Sequence, residues 1–178
     1  MIQVIENFLP ADEFKKLRDE LLSPEFPWYI TPDVAFGHKD NQPHVERCDD
    51  IYNWQLIHNF YNTPGTMSEA IKLMNPVLET IKANVLLRIK ANLTPRADAI
   101  VEHGMHVDVM PPIDNVTTGV LYLNTNNGYT AFEDGQQIPS IENTFVTFPC
   151  TWKHTGTTCT DEKYRAFINF NYIKVDDA

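Results

Sequence analysis

Positive charge is what this chain of 178 residues has least of: Lys and Arg number 14 against 24 Asp and Glu, a net charge of -10 at pH 7. A large nucleic-acid interface needs clustered basic side chains to meet phosphates. The one basic cluster, Lys15-Lys16-x-Arg18, sits among Asp12, Glu13, Asp19 and Glu20 and reads as a solvated helix face. No nucleic acid is expected as a partner. Long hydrophobic runs are missing as well, and nothing approaches the roughly 20 apolar residues that cross a bilayer. Met1-Ile2-Gln3-Val4-Ile5-Glu6 lacks the basic and apolar stretches of a signal peptide, so a cytoplasmic location is expected. Cysteine is sparse and odd in number: Cys48, Cys150 and Cys159, with no Cys-x-x-Cys pair. That excludes a disulfide framework or a thiolate zinc site and leaves reduced, partly buried thiols. Repeats, low-complexity tracts and long Gly/Ser linkers are absent, which points to a single domain over 1–178. Oligomeric state is not legible.

The chain changes character near residue 84. In the front part, 1–84, Val4–Leu9 reads as a first strand. Pro10 suits a helix start, and Phe14, Leu17, Leu21 and Leu22 form an apolar stripe that Ser23-Pro24 stops. Phe26-Pro27-Trp28-Tyr29 reads as aromatic packing that leads into a strand, and Trp28, Trp54 and Trp152 as core or cap residues. Residues 31–66 are punctuated by Pro32, Gly37, Pro43, Pro64 and Gly65, which predicts long loops with short strands. Thr66-x-x-Glu69 has the form of a capping box for a helix that Pro76 restarts near Asn75. From 85 to 173, runs rich in Val, Ile, Thr, Phe and Tyr predict strands at 85–93, 99–109, 117–124, 129–132, 144–148 and 163–173. The expected class is therefore mainly β with flanking helices (α+β), a sandwich or barrel carrying an N-terminal helical layer.

His106-x-Asp108 is the most chemical feature of that β region. Alternation along a strand puts both side chains on one face. Two imidazoles and a carboxylate are the ligands of a facial triad that holds Fe(II) and leaves positions open. His154 offers the second imidazole. Arg165 opens the last strand, sharing a face with Phe167, Asn169 and Asn171, and a buried Arg there needs an anion. Arginine grips a carboxylate best in two places, so a bidentate contact is expected. An acidic neighbour is the alternative partner.

The order of these residues resembles the Fe(II)- and 2-oxoglutarate-dependent oxygenases, particularly the small prolyl-4-hydroxylase-like members of bacteria and phages. Thr118-Gly119-Val120-Leu121-Tyr122-Leu123-Asn124 is similar to the family's T-x-x-x-Y-L-N strand. Gly128-Tyr129-Thr130-Ala131-Phe132 is similar to its G-x-T-x-F strand, and Phe148-Pro149 followed by His154-Thr155-Gly156 to its F-P…H-x-G segment. The likeness is close over 85–173 and looser at the front. It implies a double-stranded β-helix (jelly-roll, cupin-like) core. It further implies Fe(II) on His106, Asp108 and His154, with 2-oxoglutarate as co-substrate, O2 as oxidant and ascorbate as a supporting reductant. By the same resemblance Arg165 takes the far carboxylate of 2-oxoglutarate, with Asn92, Tyr122 and Thr130 as further candidate contacts. The implied reaction is hydroxylation of a peptidyl residue or a small molecule, with release of succinate and CO2. For a phage protein the expected location is the host cytoplasm.

Two departures stand out. Asn127-Gly128-Tyr129-Thr130 replaces the Gly-Gly-Glu-Thr of many relatives. The strand before the His-x-Asp pair reads Arg88-Ile89-Lys90-Ala91-Asn92, where many prolyl hydroxylases place a Tyr; any of its polar residues is available for that role. Other readings remain open: a non-catalytic binding module on the same fold, or a zinc hydrolase with Glu102 as base. His103 is expected on the face opposite His106, as a surface or loop residue. His38, His44 and His58 are expected to be solvent-exposed.

Overall fold

The computed structural model describes residues 1–34, 50–109 and 113–174. His38, His44 and Cys48 lie outside them. Among the described residues there are eleven strands: β1 (Gln3–Ile5), β2 (Tyr29–Thr31), β3 (Gln55–Asn62), β4 (Gly65–Thr66), β5 (Val85–Pro95), β6 (Val116–Tyr122), β7 (Asn126–Phe132), β8 (Gln137–Ser140), β9 (Phe145–Pro149), β10 (His154–Gly156) and β11 (Tyr164–Ile173). All pair antiparallel. A large sheet runs β1-β9-β6-β11-β5-β3-β2 with β4 on β3, and a small one runs β10-β7-β8.

Period-two alternation divides the core between the two faces of the large sheet. Leu121, Ile168 and Phe170 point to a cluster with Phe14, Leu17 and Leu21 of helix α1 (Ala11–Leu21) and Val77 and Ile81 of helix α2 (Asn75–Ile81). Val120, Tyr122, Val146 and Phe148 point the other way and meet Phe132 of the small sheet. One face of the large sheet thus carries helices, and the other closes against the small sheet around a cavity. The basic cluster is the solvated face expected: Lys15 and Arg18 pair with Asp19, and Arg18 with Glu142. Among the described residues no helix is long and apolar enough to cross a membrane.

The structure corrects several expectations. Residues 99–109 form no strand; Glu102 and His106 make only isolated bridges to Thr157 and His154. Residues 31–66 hold more sheet than their punctuation predicts, because β3 is an eight-residue strand paired to β2, β4 and β5. Its polar residues hide the periodicity that β5 reveals by pairing. Strands β8 and β10 were not expected at all. Thr66 lies in β4, and the capping role falls to Ser68, whose Oγ accepts from Ala70 N at the start of a 3-10 helix (Glu69–Met74). His58 is buried, its Nδ1 bonded to Pro27 O at 2.7 Å and its Nε2 to Ser68 Oγ at 2.8 Å, so it is a structural cross-link. Cys150 and Cys159 are free and buried.

Gly119 shows how tightly the sheet and its front layer meet. A Cβ there would lie 2.4 Å from Cζ of Phe145, a buried ring stacked on Phe8. Overpacking of a core site costs about 1–3 kcal/mol. Gly119→Ala is expected to lose that much stability in urea unfolding, with no loss in a control such as Gly65→Ala, where nothing lies within 4 Å.

Candidate metal centre

His106 and His154 are brought together by the backbone. Each amide bonds the other's carbonyl at 3.0 Å. Asp108 follows two residues on, and its Oδ1 and Oδ2 lie 3.8 Å from His106 Nε2 and His154 Nε2 respectively. One ligand atom from each side chain falls within 4.8 Å of the other two. The far ring nitrogens are tied down: His106 Nδ1 to Gly104 O at 2.9 Å, His154 Nδ1 to Trp152 O at 3.2 Å. A carbonyl only accepts, so each Nδ1 carries the proton and each Nε2 presents a lone pair inward. Burial, then the neighbouring His154, pushes the His106 pKa down to about 4, so the ring is neutral at pH 7. Two imidazoles and a carboxylate converging in this way suit a divalent cation, and the donor set fits Fe(II).

Asp108 is held by residues whose roles the sequence concealed. Arg88 Nη2 lies 2.7 Å from Oδ1, and the Nδ2 atoms of Asn169 and Asn171 donate to Oδ2 at 3.2 and 3.3 Å. Arg88 is steadied in turn by Asn171 Oδ1 at 3.0 Å. Burial alone would raise the Asp108 pKa, but Arg88 together with the neighbouring His154, His106 and Lys90 outweighs it and keeps the carboxyl well below the usual range. The strand alternation of β5 and β11 was the available signal for Arg88 and Asn171, yet it names no partner.

The cavity beside these ligands is lined by β5, β11 and the small sheet. Arg165 is 1% exposed. Its Nε donates to Ser140 Oγ at 2.6 Å and its Nη2 to Thr130 Oγ1 at 3.0 Å, while Nη1 has no partner. Two of the five guanidinium N–H donors are used in this way, and both hydrogens of Nη1 and the second of Nη2 remain for an anion. No described carboxylate forms an ion pair with Arg165, so the acidic-neighbour alternative is not seen. Thr130 Oγ1 accepts from both Arg165 and Tyr122 Oη (2.8 Å), leaving its own proton to donate. Tyr122 stands behind Thr130, and the Arg165 guanidinium lies over the Phe167 ring at 4.5 Å. Asn92 lines the cavity and bonds Lys90 O and Asn169 Oδ1. Glu102 is exposed and accepts from Tyr129 Oη, which removes it from the position a hydrolytic base needs.

Two cavity residues differ from expectation. His103 is 3% exposed and lines the cavity, because the chain around it is not a regular strand and the two-residue alternation does not apply. Lys90 is the other. Burial, then the nearby Arg88 charge, pushes its pKa down to about 7. Between pH 7 and 10.5 the unfolded chain therefore holds a proton that the folded one has released, so stability rises with pH across that window. Lys90→Met is expected to flatten this rise and to stabilise the metal-free protein at pH 7 by roughly 1–2 kcal/mol, read by urea unfolding at pH 7 and pH 9.

Three solved structures carry the same architecture. An oxidoreductase of the 2OG-Fe(II) oxygenase family from Burkholderia pseudomallei aligns with TM-score 0.66 and 12% identity over 99% of this chain and 87% of its own. The fold is that of the Fe(II)- and 2-oxoglutarate-dependent oxygenases. A Trichoplax adhaerens prolyl hydroxylase, solved with a hypoxia inducible factor peptide fragment, shares it at TM-score 0.58 and 16% identity over 97% and 83% of the two chains. The α-ketoglutarate-dependent epimerase SnoN of nogalamycin biosynthesis shares it at 0.62 and 12% over 97% and 77%. No protein-family model matches the chain, and no curated protein matches it in sequence. The 2-oxoglutarate oxygenase fold is thus evident from tertiary structure at identities where sequence comparison is silent.

Proposed function

We propose that the protein is an Fe(II)- and 2-oxoglutarate-dependent dioxygenase that hydroxylates a peptidyl residue or a small molecule. The observation that carries this reading is Arg165, a buried cation with one unmet nitrogen, in the same cavity as a complete His-Asp-His set. His106, Asp108 and His154 would hold the iron. When bound, the metal and 2-oxoglutarate supply the oxygen activation, with succinate and CO2 as by-products. Arg165 Nη1 and the Thr130 hydroxyl would take the two oxygens of the distal carboxylate, fixing the co-substrate's orientation. Phe167, Val120 and the small sheet limit water around the ligands. Arg88, Asn169 and Asn171 keep Asp108 ionised and in place.

Both substrate classes have precedent on this fold, in the peptide-bound hydroxylase and in the epimerase of nogalamycin biosynthesis. A non-catalytic module is disfavoured because no ligand of the set is missing. The decisive assay is succinate formation from 2-oxoglutarate with Fe(II), ascorbate and O2. Turnover, even uncoupled, is the expected result. Its absence under every metal condition would overturn the proposal.

A further inference from the structure

Gln55 and His103 are cavity side chains whose polar atoms find no partner among the described residues. Gln55 is 2% exposed. Its Nε2 donates to Val34 O at 3.1 Å, which fixes the orientation of the amide, since the reverse would set two carbonyl oxygens against each other. Its Oε1 faces no donor. His103 is equally enclosed, and neither ring nitrogen has a partner. Its backbone is clamped, with N donating to Gly156 O at 3.1 Å and the carbonyl accepting from Thr155 Oγ1. Both side chains line the cavity that holds Arg165 and the metal ligands.

The polarity of these atoms restricts what can satisfy them. A buried polar atom without a partner costs about 1–3 kcal/mol. 2-Oxoglutarate is a dianion with acceptors only, so it cannot serve Gln55 Oε1, which needs an N–H or O–H. A carboxylate on a second ligand would fail there for the same reason. An ammonium group would satisfy Gln55 but would enter a cavity already holding the buried cation of Arg165. His103, kept neutral by burial with its pKa down to about 4, offers one N–H and one lone pair. A hydroxyl or an amide donates to Gln55, accepts from His103 and carries no charge; only the amide does both through separate atoms, so that neither contact competes for the other's oxygen.

We propose that Gln55 and His103 read an amide of the primary substrate, Gln55 Oε1 accepting its N–H and the His103 ring donating to its carbonyl oxygen. This rests on the oxygenase reading and narrows the substrate to a peptide or another amide-bearing molecule. A molecule that offers these two side chains only carboxylate or ammonium groups is not the preferred substrate.

N-methylacetamide, a single peptide unit, tests this against methyl acetate, which has the carbonyl but no N–H, and against acetate. The full-length protein is loaded with Mn(II) and saturating 2-oxoglutarate, and the relaxation of the probe's methyl protons is followed on titration. Saturable enhancement is expected for N-methylacetamide, at least about tenfold tighter than for methyl acetate or acetate. Gln55→Leu is expected to abolish that preference, and His103→Phe to weaken amide binding, while both variants still bind 2-oxoglutarate and keep a cooperative melt. Equal binding of the ester, tighter binding of acetate, or no saturable signal from the amide in the unsubstituted protein overturns the proposal, whatever the variants do. A preference that survives Gln55→Leu also overturns it. Failure of the metal-loaded protein to bind 2-oxoglutarate brings down the oxygenase reading instead.

Discussion

Arg165→Ala lowers 2-oxoglutarate affinity by roughly a hundredfold or more while leaving metal affinity within about twofold. The magnitude follows from truncating one side of a buried, hydrogen-bonded charge pair, about 2–5 kcal/mol. The selectivity follows from position: Arg165 bonds Ser140 and Thr130, whereas the ligand carboxylate is held by Arg88, Asn169 and Asn171. Titration calorimetry of 2-oxoglutarate into Mn(II)-loaded protein measures the first, and Mn(II) titration alone the second. Arg165→Lys is not a rescue, because an ammonium cannot hold Ser140 and Thr130 through two fork nitrogens and still present a third inward. Unchanged 2-oxoglutarate binding in Arg165→Ala would remove the anchor assignment.

Asp108→Ala is expected to abolish metal binding and, in contrast to His106→Ala, to destabilise the metal-free fold. His106 is neutral, and its removal leaves only Gly104 O without a partner. Asp108 neutralises Arg88, whose side chain is 21% exposed, and accepts from two asparagines. Removing one partner of a buried ion pair typically costs 3–5 kcal/mol because a charge is left behind; the partial exposure of Arg88 places the expectation at the lower end, about 2–3 kcal/mol. Metal titration and urea unfolding of the two variants separate these effects. Equal stability of the two would show that Arg88 finds solvent without penalty. The double change Arg88→Met, Asp108→Ala should recover part of the loss, since it removes the stranded cation as well.

Much of the site was legible before any tertiary information, and for a local reason. Ligand type is written in residue identity, and the alternation of β11 placed Arg165, Phe167 and Asn169 on the cavity side and Ala166, Ile168 and Phe170 in the core. The helical stripe Phe14, Leu17 and Leu21 was equally plain, because amphipathic periodicity needs no partner to be seen. The weak readings fell where structure depends on pairing across long separations. Strand β3 is defined by β5, some thirty residues on, and its own mix of Gln, His and Asn looks like a loop. The stretch before His106 looks like a strand but is tied by two isolated bridges, and that irregularity turns His103 inward.

The sequence by itself determined the candidate metal-ligand set, the candidate anion anchor and the mainly β class, since these rest on side-chain chemistry and short-range periodicity. Only the tertiary structure decided how many donors Arg165 has left, that Arg88 leads the charges that keep Asp108 ionised, and that Gln55 and His103 face the cavity with unmet hydrogen bonds. Those are questions of which polar atom finds which partner. Partners such as Arg88 and Asp108 or Ser140 and Arg165 meet only when distant strands are folded against one another.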